Sequence, residues 1–343
     1  MSWDGLKVLV TGGASFIGSH LVERLVERGA TVRVVDDLSS GKLAYIQPLI
    51  DSRAIEFVHG TLLEQSIARA AVKDVHTVFH LAADHGGRGY VDLHQVACGT
   101  NLALDGLVFW EAERAGVERI VFASSGCIYP VDIQSDVNES IYLSENMAGP
   151  PYNADRMYGW AKLMAELQLR ELARERGLKT ASCRYFTVYG ERGKEDHAII
   201  AMIARAFIRQ DPFEIWGDGT QIRNWTYVGD IVEGTIATAE HISDGSAINL
   251  GTTERTSVRQ AAELAIAFAR DRFGNYDPEL RFLPDMPTGP LNRVADNSLA
   301  EDLLGWRPKV MLVAGITKTA EWYFDTHKDS EVAATLTESL TER

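Results

Sequence analysis

Apolar residues along the first half of the chain fall into two alternating patterns. Short β-branched runs at residues 6–11, 31–36, 55–58, 77–81, 119–123 and 180–184 read as strands, and the stretches 16–28, 91–115 and 154–176 between them carry apolar residues at helical spacing. This alternation predicts an α/β fold, a doubly wound parallel sheet covered by helices on both faces. After about residue 186 the pattern loosens, and segments rich in Gly, Pro, Asp and Trp (217–225 and 284–291) separate shorter helices such as 258–273. The expected organisation is a first domain over 1–186, with segments near 224–250 returning to it. A smaller α/β domain over 187–327 completes a cleft, and a polar tail over 328–343 frays.

Composition narrows the classes. Of 343 residues, 45% are apolar, enough for a well-buried core. No apolar run approaches the roughly 20 residues that cross a bilayer, so no membrane partner is expected. Residues 1–7 run straight into a strand without a charged-then-apolar leader, which reads as a cytoplasmic chain. Cys98, Cys127 and Cys183 are few and odd in number, which suits a reducing compartment, and none stands at metal-ligand spacing from another Cys or His, so no metal is expected. The net charge of −14 excludes a broad nucleic-acid surface. It also means that a phosphorylated ligand must be held by a few placed arginines against an unfavourable field.

Two constellations carry chemistry. The first strand ends in Gly12-Gly13-Ala14-Ser15-Phe16-Ile17-Gly18 and a helix begins at once. Such a turn lets the backbone approach a pyrophosphate at the positive helix N-terminus, and Gly18 permits close helix–strand packing. The second strand ends in Asp36-Asp37, 24 residues past Gly12 and near the ~20 expected for the carboxylate that holds the adenosine ribose. An acid there repels a 2′-phosphate, so the expected cofactor is NAD rather than NADP. The competing reading is a flavodoxin-like domain with an incidental glycine turn. Farther along, Tyr158 and Lys162 stand at i and i+4 on one helix face. An ammonium one turn away and a positive nicotinamide both lower a tyrosine pKa, which lets the phenol deprotonate a sugar hydroxyl; a plain surface Tyr–Lys pair is the alternative.

Taken together, the glycine turn, Asp36, His80-Leu81-Ala82-Ala83, Ser124-Ser125, Tyr158-xxx-Lys162 and Arg184-Tyr185-Phe186 resemble the extended short-chain dehydrogenase/reductase family, whose members modify nucleotide sugars. The likeness spans residues 6–322 and includes Gly217-Asp218-Gly219-Thr220-Gln221-Ile222-Arg223, Tyr227-Val228-Gly229-Asp230 and Leu304-Gly305-Trp306. Four segments are most similar to the GDP-mannose 3,5-epimerase branch: the loop Ala83–Tyr90, the segment Ser125–Pro130, residues 216–223 and residues 293–297. The resemblance implies an NAD-dependent epimerase acting on a nucleotide-diphosphate sugar through a transient 4-ketone, with inversion at C3 and/or C5.

Residue by residue, the resemblance implies that Gly12, Ser15, Phe16, Ile17, Gly18, Asp36, Leu81, Ala82 and Ala83 hold NAD together with Tyr158 and Lys162. Ser125 and Tyr158 would polarise the sugar O4, and Cys127 would shuttle a proton at the ring. Gly87 and Arg88 would contact the sugar, and Arg223 and Arg293 would grip the diphosphate. His197 falls where the 3,5-epimerases keep a second acid/base group; a substrate-binding or capping role is the alternative. For Cys127 the alternative is a small buried apolar residue. Cys98, Cys183 and His80 read as structural.

Several positions depart from the family pattern: Ser15 for a glycine, Thr61 for an adenine-binding Asp, Thr187 for Asn and Glu191 for Pro. Rival activities are a 4-epimerase, which needs no Cys127, and a dehydratase, whose Asp–Glu pair is replaced by Gly126 and Cys127. An idle NAD-sensing scaffold is the reading from another class. Apolar residues on more than one face of the helices at 91–115 and 154–176 (Leu104, Val108, Trp110, Met157, Trp160, Met164) predict a homodimer.

Overall fold

The structure, a computed structural model, describes residues 2–339. Six of its strands, β1 (Lys7–Thr11), β2 (Thr31–Asp36), β3 (Ile55–His59), β4 (Thr77–His80), β5 (Arg119–Ser125) and β6 (Lys179–Tyr185), join the strand Asp244–Leu250 in one sheet. All neighbours are parallel, and the order runs Asp244–Leu250, β6, β5, β4, β1, β2, β3. Val8, Leu9 and Val10 are all fully buried, because helices cover both faces and consecutive side chains point to opposite sides. One face packs on the helices Phe16–Glu27 and Val228–His241 around Val10, Val34, Leu25, Ile231 and Trp306. The other packs on Gln65–Val72, Asn101–Arg114 and Arg156–Arg176 around Leu9, Val35, Phe109, Phe122 and Leu169. Strand order reverses between β1 and β4, and the crevice beyond their carboxyl ends is where such sheets take ligands.

The helix expected over 91–115 is three, Arg88–Leu93, Gln95–Gly99 and Asn101–Arg114. His94 leaves helical geometry (φ −111°, ψ 58°) with its ring stacked on Tyr90. Asn101 turns its side chain to the loop after β4, where Oδ1 accepts from the Asp84 amide and Nδ2 donates to the Asp84 carbonyl. Tertiary bonding thus overrides the local apolar period. Leu104 and Val108, expected on an outer face, lie in the core, whereas Trp110, Met157, Trp160 and Met164 are exposed.

A second apolar cluster joins the helices Ala198–Phe207, Val258–Phe273 and Leu312–Thr326 with the parallel strand pair Phe213–Trp216 and Leu280–Leu283. The tail differs from expectation: residues Asp329–Ser339 form a helix that buries Val332 and Leu336 against this cluster, and 340–343 lie outside the described residues. Beneath β5 and β6, Arg184 donates to both carboxylate oxygens of Glu166, Ser124 donates to the same carboxylate, and Tyr129 lies against the guanidinium. Removing one partner of such a pair costs about 3–5 kcal/mol, so the network fixes the strand ends that carry the cleft. Among the described residues no helix is long and apolar enough to cross a membrane, and no group of His, Cys, Asp or Glu is gathered to hold a metal.

Candidate active site

A cleft of about 460 Å³ opens along the carboxyl ends of the strands. Gly12, Ser15, Phe16, Ile17, Asp36, Leu81, Ala82 and Ala83 line one end, and Gly87, Arg88, Ser125, Cys127, Tyr158, Lys162, His197, Arg223 and Arg293 line the rest. Every residue singled out from the sequence therefore borders one cavity, except Gly18, which lies beneath it.

At the first end the backbone leaves no room for side chains. Gly12 has φ +67°, the left-handed region that favours glycine, and a Cβ there would stand 2.9 Å from the Ala82 amide nitrogen. A Cβ on Gly18 would lie 2.1 Å from the Gly12 carbonyl oxygen, so only glycine lets the helix press onto the turn. Ser15 folds its hydroxyl back onto the Gly12 carbonyl at 2.5 Å, which clears the cleft and accommodates the departure from glycine. Asp36 accepts from the Ala14 amide (2.9 Å) and the Leu38 amide (2.8 Å). Thr11 Oγ1 accepts from the Leu81 and Ala82 amides and stands 2.7 Å from His80 Nδ1, and His80 Nε2 is 3.0 Å from Asp105 Oδ1. His80 and Cys183 are thus core residues, as expected; burial pushes the Cys183 thiol up to about 12.

At the chemical end, the helix Arg156–Arg176 meets the turn after β5 without a gap. The Asp155 amide donates to the Cys127 carbonyl at 2.8 Å, and a Cβ on Gly159 would come 2.3 Å from that same oxygen. This contact locks Cys127 to the helix that carries Tyr158. Ser125 Oγ accepts from the Cys127 amide at 3.1 Å and hydrogen-bonds to Tyr158. Lys162 is buried, its ammonium 4.4 Å from the centroid of the Phe122 ring and 5.8 Å from that of Tyr158. The expected lowering of Tyr158 is not what this environment gives. Burial pushes the Tyr158 phenol well up, helped by the neighbouring Cys127, Cys98 and Asp105, and burial pushes Lys162 down.

The three arginines of the cleft have different protein partners. Arg293 donates from Nε to Gln134 (2.8 Å), from Nη2 to Asp155 (3.1 Å) and from Nη1 to Cys127 Sγ (3.1 Å), so its guanidinium faces the cysteine. Arg88 is tied to Asp92 and Asp155; burial opposes its charge, and the two carboxylates outweigh it and hold the pKa above the usual value. Arg223 donates only to the Ile222 and Thr288 carbonyls and, among the described residues, has no carboxylate within ion-pair distance. Burial first, then Arg293 and Arg88, push it down to about 9. An anion entering the cleft relieves that site most.

Sequence reasoning assigned no role to five residues at or behind the cleft. Asp155 is the carboxylate shared by Arg88 and Arg293. Asp196 Oδ2 accepts from the Gly87 amide at 2.8 Å and so joins the glycine loop to the 190–197 loop. Arg205, Gln221 and Trp225, all lining the far end, keep Nε, Oε1 and Nε1 buried without a hydrogen-bond partner among the described residues. Asp155 stands in the sequence just before the helix that carries Tyr158, but nothing local marks it as the partner of Arg88 and Arg293, or Arg205 as lining a cleft.

The chain is similar to known proteins over nearly its whole length. GDP-mannose 3,5-epimerase 1 of Oryza sativa subsp. indica is 30% identical over 330 residues, covering 93% of this chain and 82% of that protein. UDP-glucose 4-epimerase from Thermotoga maritima, solved with UDP-glucose, superposes with a TM-score of 0.82 at 29% identity, covering 94% of this chain and 99% of that one. The UDP-glucose 4-epimerase of Thermus thermophilus, solved in complex with NAD, gives 0.81 at 28% identity, over 94% of this chain and 100% of that one. Residues 8–251 match the NAD dependent epimerase/dehydratase family, and the chain belongs to it. NAD is the family's cofactor, and the residues present fit it. The cradle at Gly12 and Gly18 excludes any Cβ, a helix N-terminus faces the pyrophosphate position, and the Asp36 carboxylate lines the cleft beside it.

Proposed function

We propose that the protein is an NAD-dependent epimerase of nucleoside-diphosphate hexoses that works through a transient 4-ketone and inverts C3 and/or C5. The observation that supports this reading is the Cys127 thiol, facing the cleft beside Tyr158 and met by Arg293 Nη1 at 3.1 Å. A 4-epimerase has no proton to remove from ring carbon and no use for a thiol so placed.

NAD, when bound, supplies the acceptor and donor for the hydride exchanged with C4. Tyr158, hydrogen-bonded to Ser125, takes the O4 proton and returns it. Burial and the neighbouring Cys127, Cys98 and Asp105 hold the phenol up, so positive charge is needed beside it, and Lys162, the buried cation of the same helix, is the protein's own source. The ketone at C4 acidifies the hydrogens at C3 and C5. Cys127 Sγ, its anionic form offset by the facing Arg293, takes one of them and becomes the neutral thiol; a second group returns a proton on the other face. Arg223 pairs with the diphosphate.

The test is incubation with GDP-mannose and UDP-glucose in D₂O, read by mass and NMR. Solvent deuterium at C3 or C5 is expected, and Tyr158→Phe should abolish it. Cys127→Ser should leave the transient near-ultraviolet absorbance of C4 oxidation while cutting deuterium uptake about 10²–10⁴-fold, the usual weight of an acid/base group. Inversion at C4 with no deuterium on carbon would replace this reading with the 4-epimerase.

A further inference from the structure

Inversion beside a ketone needs two proton-transferring groups, and Cys127 is one. The structure points to His85 as the other. The inference rests on the 4-ketone reading above.

His85 is held on both sides. Before it, Asp84 is fixed through its backbone by Asn101, with bonds of 2.7 and 2.9 Å, and through its carboxylate by Tyr90 Oη at 2.6 Å. After it, a Cβ on Gly86 would strike Tyr90 at 2.6 Å, and a Cβ on Gly87 would come 1.7 Å from the Asp196 carbonyl oxygen. Two glycines pressed between neighbours, with the Gly87 amide bonded to Asp196, leave the loop one course. That course lays the His85 imidazole flat on the Tyr158 ring, centroids 4.8 Å apart and planes 24° apart. Lining groups held by a rigid outer layer are what a proton-transfer site requires.

Tyr158 thus carries an imidazole on its ring face and has Cys127 near its hydroxyl, so the two proton carriers approach the reacting centre from different directions. His85 also meets His197 edge-on, with centroids 5.4 Å apart and planes at 88°. His197 is 26% exposed and stands 3.6 Å from Asp196. His197 is therefore the partner through which His85 exchanges protons with solvent, and not itself the group at the sugar. The other charged or titratable groups around this point are Asp84 and Arg88 of the same loop, Asp155 and Lys162 of the tyrosine's helix, and Arg223 and Arg293 across the cleft. In the step, the imidazole takes a proton from the carbon beside the ketone, the C–H pair becomes the enolate, and Cys127 supplies a proton on the opposite face; the roles reverse for the other direction.

The experiment uses NAD-loaded enzyme and GDP-mannose in D₂O. His85→Phe keeps a flat ring on Tyr158 but carries no proton. It should retain C4 oxidation and lose deuterium uptake about 10²–10⁴-fold at the inverted carbon. Added imidazole should restore uptake to His85→Ala, an effect no packing role produces. His85→Gln serves in place of either variant that fails to fold, and it should show the same loss. Undiminished uptake in His85→Phe overturns the assignment. So does a parallel loss of oxidation and uptake in His85→Ala that imidazole does not rescue, since that describes a residue packing Tyr158. If the unmodified enzyme takes up no deuterium at C3 or C5, the 4-ketone inversion reading fails, and the role of His85 falls with it.

Discussion

Replacing Gly87 by alanine adds one methyl group where two loops meet. Gly87 has φ −68°, which any residue adopts, so the effect is purely steric. At a compatible site such a change stabilises by about 0.4–1 kcal/mol through the unfolded chain. Here the new Cβ lies 1.7 Å from the Asp196 carbonyl oxygen, and ordinary contact begins at 3.4 Å, so the loops must part by 3.4 − 1.7 = 1.7 Å. The Gly87 amide to Asp196 Oδ2 bond, 2.8 Å long, would then stretch to about 2.8 + 1.7 = 4.5 Å and be lost. Overpacking costs about 1–3 kcal/mol, and an abandoned buried bond to a charged group about 1–3 more. At roughly 2–4 °C per kcal/mol, a loss of about 2–6 kcal/mol should lower the melting temperature by roughly 4–24 °C. A misplacement of this size at a catalytic group should slow turnover about 10²-fold, because His85 and His197 move apart with their loops. NAD affinity should hold, since Gly12 and Asp36 lie at the other end of the cleft. Differential scanning fluorimetry, cofactor titration and deuterium uptake measure the three quantities. A Gly87→Ala enzyme with the parent's melting temperature and rate would refute the argument that this contact positions the site.

Asp36→Ala should relax the preference for NAD over NADP⁺ in binding titrations and lower stability, because the Ala14 and Leu38 amides lose their acceptor; equal affinity for both cofactors in the unmodified protein would remove the role given to Asp36. Lys162→Met should raise the melting temperature of the cofactor-free protein by about 2–4 °C while weakening NAD binding. Burial holds the folded pKa of Lys162 below its ordinary 10.5, so the charged form costs stability at neutral pH and the cost disappears as pH rises past that value. The gain from methionine should therefore shrink in melts at high pH, and a pH-independent gain would show that packing, not charge, is responsible. Exposed Trp110, Trp160 and Met164 on neighbouring helices should be covered by a second copy of the chain; light scattering should report a dimer that Trp160→Glu dissolves, and a monomer at micromolar concentration would contradict this.

Strand positions were legible because β-branched runs buried on both faces leave little choice of conformation, and β2 matches its expected bounds. That Tyr158 and Lys162 line one cleft was legible because i, i+4 spacing fixes a shared helix face. What failed locally was set by distant contacts. The break at His94 depends on Asn101 reaching Asp84, a bond invisible to any window of apolar spacing. The state of Tyr158 depends on how completely the cleft wall encloses it, which spacing from Lys162 does not encode. That Arg293 bonds to Asp155, Gln134 and Cys127 is likewise set by distant segments and is not encoded in residues 293–297. From the sequence His85 either touches the sugar or sits in a solvated loop, and it is the packing of Gly86 on Tyr90 and Gly87 on Asp196 that fixes its course.

The 190–197 loop is anchored from many directions. Arg192 pairs with Glu23, Lys194 Nζ lies 3.2 Å from Ser40 Oγ, Tyr227 donates to Glu191, Tyr323 donates to Glu195, and Gly87 donates to Asp196. These partners belong to both apolar clusters and to both banks of the cleft, so the segment works as a clasp that shuts only when the whole chain has folded. The proposed reaction, which borrows a hydride and gives it back, would not need to exchange its carrier between turnovers. A clasp fastened at separate points would make cofactor release slow, because several must open together, and under that proposal the sugar nucleotide, not the cofactor, would be the traffic through the cleft.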